Sequence, residues 1–369
     1  MSGFPLAPDC CIIILIKKYH FEVVMMNIRE KQEQRELQTL AQYACYSMNS
    51  RGRDREEGKC EIRTEFQRDR DRVIHSKAFR RLKHKTQVYI SQDNDHYRTR
   101  LTHTLEVSQI ARTIGNGLML NSDLIEAVAL AHDCGHTPFS HSGEEVLNVL
   151  MPGGFRHNEN SVRVLTVIEE GSAGRGLNLT REVLDGVLYH SGFDGKDREA
   201  YTLEGQVIKL SDKIAYVQHD IDDSIRAGIL KPSELPAECI ELLGDTHSKR
   251  ISTLVTDAIE YSSRLIDKGM NSIRLSPPIG EALVKLREYM FENVYFGHTC
   301  KSEREGISHV IEFLFEYYMK HPDKMPEFYQ RITKDEGLEM GVCDYISGMT
   351  DNYCINTFKS ITIPRSFNI

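Results

Sequence analysis

The sequence has no C-x-x-C pair among its nine cysteines, which lie scattered through helical patterns. That absence excludes a thiolate zinc site and fits a reducing compartment, so the cytoplasm is the expected home. Positive charge is also in short supply: 46 Lys and Arg stand against 54 Asp and Glu, a formal charge of −8. A chain with that balance is not built for nonspecific contact with nucleic acid or anionic membrane. Any polyanionic ligand must therefore meet a locally basic pocket. Long apolar runs are missing too. The one suspect, "CCIIILIKK" from Cys10 to Lys18, is too short to span a bilayer, its lysines follow the apolar stretch, and no small-residue cleavage site appears. Repeats, low-complexity tracts and long linkers are likewise absent. What remains, at 369 residues, is one large domain or two intimate ones with a core that needs no disulfide or structural metal.

What is present is helical periodicity. Residues 1–25 lack it and read as an appendage, dispensable for solubility and activity, with the fold opening at Met25 or Met26. "NIREKQEQRELQTLAQYACYSM" predicts a charged helix with Leu37, Leu40 and Tyr43 along one side. "RTEFQRDRDRVIHSKAFRRLKHK" continues the pattern with Phe66, Val73, Ile74, Phe79 and Leu82, and "RLTHTLEVSQIARTIGNGL" with Leu101, Leu105, Ile110 and Ile114. Between them "TQVYISQDNDHYRTR" alternates and turns at Asp93-Asn94, a candidate short β-hairpin. Ser122 precedes the next helix and Gly135 stops it, while Ser142 with Glu145 spells a capping box for the one after. In "LEGQVIKLSDKIAYVQHDIDDSI", Val207, Leu210, Ile214, Val217 and Ile221 share a core face, opposite Asp212, Tyr216 and Asp220 with Lys213 beside them. More helical runs, broken by Pro277-Pro278, Pro322 and Pro326, fill the last third. The expected class is all-α, with residues 26–230 as a catalytic core and 231–369 as a helical region packed on it.

Titratable groups crowd one stretch. "LAHDCGHTPFSHSGEEVL", Leu130 to Leu147, holds three histidines, one aspartate and two glutamates around a helix end, a turn and a helix start. A His-Asp dipeptide alone means little, and a buried, satisfied polar group is the better reading of any one of these residues. The set is more specific: His103 in one helix, His132-Asp133 at a second helix end, Asp212 on a third. Two imidazoles and two carboxylates without a thiolate suit a catalytic Mn, Fe, Co, Ni or Mg ion with open positions for water and substrate.

"RLTHTLEV", "AHDCGHTPFSHSGE", "FRHNENS" and "LSDKIAYVQHDIDD" resemble, in order and spacing, the HD-domain deoxynucleoside triphosphate triphosphohydrolases, especially their bacterial deoxyguanosinetriphosphate triphosphohydrolase-like members. The resemblance runs from about Met26 to Tyr353 and implies the HD-domain helical fold. By position it implies that His103, His132, Asp133 and Asp212 are metal ligands, and that His141 and Glu144 act at the scissile phosphate. His136 and His157 match further pocket histidines, Arg100 and Lys213 match phosphate-contacting cations, and Gln87, Tyr216 and Asp220 match positions lining the deoxyribose. The implied reaction is hydrolysis of a dNTP, with dGTP the expected favourite, at the α-phosphate to deoxynucleoside and tripolyphosphate. A dimer-based homo-oligomer, extending to a hexamer, and an activating nucleotide are implied partners; nucleic acid is a secondary one and membrane none.

Rival readings stay open. Other HD-domain proteins are nucleotide phosphodiesterases or 5′-nucleotidases with the same four ligands, although His141, Glu144 and "FRHNENS" argue against them. Outside enzymes, a nucleic-acid-binding or dNTP-sensing regulator is the alternative. "FRRLKHK", Phe79 to Lys85, is either a phosphate or effector patch or a solvated helix face, and the acidic run after Asp220 reads as a helix-end surface or subunit contact. Cys134 stands where the family more often has an aliphatic residue, Ser140 where glycine is frequent. Beside a redox-active ion Cys134 is a candidate for peroxide oxidation, against the plainer reading of a small buried thiol.

Overall fold

The computed structural model describes residues 26–87, 98–171, 174–192, 198–295 and 298–364. Among them sixteen α-helices carry the architecture, and the one sheet is a two-residue antiparallel pair, Glu170–Gly171 against Gly174–Arg175. The fold is therefore all-α. In chain order the helices are α1 (Ile28–Thr39), α2 (Glu65–Ile74), α3 (Lys77–Arg81), α4 (Arg100–Gly117), α5 (Ser122–Ala131), α6 (Ser140–Leu150), α7 (His157–Arg163) and α8 (Arg181–Leu188). They continue with α9 (Leu203–Arg226), α10 (Ala237–Leu243), α11 (His247–Asp267), α12 (Pro277–Met290), α13 (His298–Lys320), α14 (Glu327–Glu336), α15 (Leu338–Ser347) and α16 (Asp351–Thr362).

The centre is a three-helix contact in which α4 and α9 lie along each other and both pack on α5. All five apolar residues expected on the core face of α9 are buried. They meet Val107, Ile110 and Ile114 of α4 and Leu124 and Val128 of α5, each such side chain contributing roughly 1.5–3 kcal/mol by leaving water. The same cluster takes in Leu254 of α11 and Leu283 and Leu286 of α12. A second cluster clamps α6 to the C-terminal helices, joining Phe139 and Leu147 to Ile311, Leu314, Val342 and Ile346. Residues on both sides of position 230 thus share each core.

Local chemistry moved several helix ends. α1 stops at Thr39 and leaves Leu37 exposed; its buried groups are Arg29 and Glu33, paired at 2.5 Å. Asn27 opens it through a capping box with Glu30. The expected single helix over Phe66 to Leu82 is two, because Ser76 caps a new start by accepting from the Phe79 amide at 3.1 Å, and Ile74 is left exposed. Leu105 is likewise exposed on α4. Asn121, not Ser122, caps α5, its Oδ1 accepting from the amides of Asp123 and Leu124. That helix ends at Ala131, before Gly135. The Ser142–Glu145 capping box does not form, since α6 begins two residues earlier, at Ser140. Thr86 and Thr99 form an antiparallel bridge at the base of the candidate hairpin, whose Asp93-Asn94 turn lies outside the described residues. Residues 1–25 lie outside them as well.

Candidate metal centre and phosphate pocket

Three helices deliver the floor of one cavity. α4 brings His103, the end of α5 brings His132 and Asp133, and α9 brings Asp212. His132 Nδ1 donates to the Ala129 carbonyl at 2.6 Å, which fixes the tautomer and leaves Nε2 bare; that atom is buried with no hydrogen-bond partner among the described residues. It faces Asp133 Oδ1 at 3.6 Å and Asp212 Oδ1 at 3.8 Å. His103 Nε2 lies 3.0 Å from the same Asp212 oxygen, while its Nδ1 meets His219 Nδ1 at 3.2 Å, and His219 Nε2 reaches Glu106 at 2.9 Å. Burial pushes the Asp212 carboxyl up, but the His103 hydrogen bond and the neighbouring His132 more than reverse this and hold it below the usual range. Asp133 is held down in the same way, with His132 and Arg100 overcoming its burial. Ligand-capable atoms of His103, His132 and Asp133 lie within 4.8 Å of one another. An orphaned imidazole lone pair facing ionised carboxylates is a donor set that fits a divalent cation.

The rim is built by the turn before α6. Phe139 and Ser140 both adopt left-handed backbone, at φ 61° and 59°, an uncommon conformation for residues other than glycine. Three contacts hold the turn: the Phe139 amide donates to Asp351 Oδ1 at 3.0 Å, Thr137 Oγ1 donates to the Ser140 carbonyl at 2.8 Å, and Arg100 donates to Ser140 Oγ at 2.7 Å. Gly135 is required just before it, since a Cβ there would sit 2.1 Å from the Ser161 amide nitrogen. The turn aims His141 and Glu144 to one side, His141 Nδ1 being 3.2 Å from Glu144 Oε2. Glu144 also takes the His157 ring at 2.9 Å and its amide at 2.8 Å. Burial would raise the Glu144 carboxyl, but the hydrogen bonds from His141 and His157 hold it far below its ordinary value. Burial would lower His157, and the Glu144 hydrogen bond raises it instead. His136 stacks on His157 with ring centres 4.3 Å apart and is held well below its ordinary value by burial and by the Arg100 charge. Arg100 bridges floor and rim, its other nitrogen donating to Asp133 Oδ2 at 2.5 Å.

Floor and rim enclose about 530 Å³, lined also by Gln87, Lys213 and Tyr216. That size suits a nucleotide-sized ligand. Asp220 lies one turn past Tyr216, fully buried and outside the lining; both its oxygens lack a hydrogen-bond partner among the described residues, as does Gln87 Oε1. Burial, reinforced by Asp223, keeps the Asp220 carboxyl well above its ordinary value.

Some groups were not anticipated. His190, Arg287, Phe291 and Arg304 line the same cavity. His190 follows the short helix α8 in "VLYHSG", where nothing local distinguishes it from a core histidine. In the "FRRLKHK" stretch Arg80, Lys83 and His84 are exposed, but its last residue, Lys85, belongs to neither a patch nor a solvated face, because it is buried and donates to the carbonyls of His136 and Ser347. The acidic run after Asp220 closes on Arg98, which pairs with Asp222 and Asp223. The Cys134 thiol is buried, donates to the Leu130 carbonyl and is pushed up by burial, which makes it a poor target for oxidation.

With this geometry in place, comparison with known proteins is specific. The HD domain family matches residues 100–217, and a phosphohydrolase-associated domain matches residues 273–360. Deoxyguanosinetriphosphate triphosphohydrolase-like proteins from Clostridium tetani and Caldanaerobacter subterraneus are 55% and 56% identical to this chain, each alignment covering 92% of it and 97% of the relative. One from Clostridium perfringens is 55% identical over 92% of this chain and 99% of its own. Among the described residues no helix is long and apolar enough to cross a membrane. On this identity over nearly its whole length, the chain belongs to the deoxyguanosinetriphosphate triphosphohydrolase-like family of HD-domain proteins.

Proposed function

We propose that the chain hydrolyses deoxynucleoside triphosphates at the α-phosphate, releasing deoxynucleoside and tripolyphosphate. One observation carries this reading: the pair His141 and His157, both held by Glu144, lines one cavity with His103, Asp133 and Asp212, and the buried His132 stands directly against those two carboxylates. His103, His132, Asp133 and Asp212 would hold a divalent cation, Mn, Mg, Fe, Co or Ni, which supplies Lewis-acid polarisation of a phosphoryl oxygen. His141, oriented by Glu144, donates the proton that the departing 5′ oxygen needs as water adds to phosphorus. Arg100, Lys213 and His157 gather the charge of the triphosphate, which is released as tripolyphosphate once the bond from its α-phosphorus to the 5′ oxygen breaks, so a chain of net charge −8 binds a polyanion through a local site. His136, held neutral and stacked on His157, donates or accepts a single hydrogen bond beside them. Gln87 lines the cavity with a buried, unpartnered oxygen that a sugar 3′-hydroxyl would satisfy, Asp220 would add its unpartnered oxygens only if the sugar reached behind that lining, and Tyr216 fills the space a 2′-hydroxyl needs. The same reading includes a dimer-based oligomer and activation by a second nucleotide.

The test is product analysis. Protein loaded with Mn or Mg is incubated with each dNTP, each rNTP and a cyclic dinucleotide, singly and in mixtures, and products are separated and weighed by mass spectrometry. Tripolyphosphate and deoxynucleoside are expected in one step, from dNTPs far more than from rNTPs and from dGTP most. The reading fails if no dNTP, alone or mixed, yields tripolyphosphate while diesters or monophosphates are cleaved.

A further inference from the structure

Two histidines meet nitrogen to nitrogen behind the cavity floor. We infer that Glu106, acting through His219, sets the tautomer of His103 and so turns the His103 lone pair towards the cation. His219 and Glu106 are then positioning residues and not ligands. The inference rests on the metal-centre reading above and says how one of its ligands is oriented.

His132 needs no such help, because its Nδ1 meets the Ala129 carbonyl, which can only accept, and its tautomer is fixed on the spot. His103 has no carbonyl. Its Nδ1 lies 3.2 Å from Nδ1 of the buried His219, and since an imidazole nitrogen can donate or accept, the pair alone has no direction. The next contact supplies one. His219 Nε2 lies 2.9 Å from Glu106 Oε2, and the same oxygen accepts from Arg98 Nε at 3.1 Å, with Arg98 itself pinned by Asp222 and Asp223. A carboxylate held by a guanidinium can only accept. It keeps the His219 proton on Nε2, so His219 Nδ1 accepts from His103 Nδ1–H and His103 Nε2 is left bare.

Asp212 pulls the other way. Its Oδ1 lies 3.0 Å from His103 Nε2 and would accept a proton there. With one N–H on each ring, the two carboxylates compete for the same two protons, and the loser faces a bare nitrogen. At the Asp212 end a cation can stand between nitrogen and carboxylate, because His132 Nε2 and Asp133 converge on the same place. At the Glu106 end the bare nitrogen would meet the carboxylate directly. The helices build this asymmetry in: Glu106 lies one turn past His103 on α4, and His219 lies two turns past Asp212 on α9, so the relay spans the central helix contact.

The experiment adds manganese chloride to the metal-stripped full chain, measures free Mn by electron paramagnetic resonance, and compares dissociation constants among variants of unchanged circular dichroism. His219→Leu, which fills the space but cannot accept, is expected to weaken Mn binding about 10–100-fold. His219→Asn, whose amide oxygen can take the place of Nδ1 as acceptor, is expected to bind Mn nearly as wild type does. Glu106→Leu is expected to weaken binding when His219 is present and to change nothing on top of His219→Asn, since an amide has no tautomer for a carboxylate to choose. The proposal is overturned if His219→Leu binds Mn as tightly as wild type, if His219→Asn is as weak as His219→Leu, or if Glu106→Leu weakens binding equally in both backgrounds. The outcomes separate from those for the activity. The expected pattern without tripolyphosphate would remove the proposed reaction and leave the relay, tripolyphosphate without any effect at His219 would do the reverse, and a wild type that binds no Mn would remove the metal centre and the relay together.

Discussion

The floor and the rim of the cavity use the same side chain in opposite ways. At the floor, His132 and His190 each donate Nδ1–H to a backbone carbonyl, which orients the ring and brings no charge with it. Burial, helped by His132 and His157, accordingly pushes His190 down to about 3, so the ring is neutral with a free lone pair. At the rim, His141 and His157 lean on the Glu144 carboxylate, and the Glu144 hydrogen bond raises His157 although that ring is buried too. The orienting partner thus decides between a ligand and a proton carrier. A carbonyl makes the first, a carboxylate the second.

That contrast predicts an order of damage. Asp212→Ala, which removes a floor carboxylate, should abolish metal binding and turnover together, a loss well beyond the roughly 10–100-fold expected for a group that only orients a ligand. The helical circular dichroism should remain, because the apolar face of α9 is untouched; stoichiometric metal with normal activity would refute the floor assignment. His141→Ala, on the rim, should lower kcat by about 10²–10⁴-fold while metal analysis gives the wild-type count, the size expected for losing a general acid. Equal loss of metal in both variants would erase the distinction between floor and rim.

The smallest effect lies behind the floor. Glu106 backs His103 through His219, and although burial works against it, hydrogen bonds and charge from His219 and Arg98 hold its carboxyl down to about 2. A carboxyl with a depressed folded value stabilises the fold above its ordinary pKa of 4.5, and the contribution disappears as the pH falls towards 2. Thermal melts of chelator-treated protein should therefore show wild type above Glu106→Gln at pH 6, with the gap closing between pH 4.5 and 2. Its partial exposure keeps the gap to a few degrees. A constant gap over that range would mean that the lost interaction is not ionic.

The three-helix centre was legible because helical periodicity is a local property. Val207, Leu210, Ile214, Val217 and Ile221 repeat at the helical period, and burying that face leaves little choice of packing. Helix ends were less legible. Ser76 and Asn121 won the caps over other polar residues nearby, and Ser142 lost its capping box because Asp351 and Arg100, both far away in sequence, hold the turn that starts α6 at Ser140. His103, His132, Asp133 and Asp212 stood out as a motif, yet nothing in their spacing shows that Arg100 ties Asp133 to Ser140 or that Lys85 bolts His136 to Ser347. His190 is the sharpest case.

By itself, then, the sequence determined the helical class, the apolar face of α9 and the residue types of a mixed nitrogen and oxygen site, since each is written within a few turns of one helix or one motif. Only the tertiary structure decided which histidines are neutral and which are raised, and that His190 joins His132. Those properties depend on how deeply each ring is buried and on whether a carbonyl or a carboxylate packs against it, and these partners come together only when α5, α6, α7 and α8 close around one cavity.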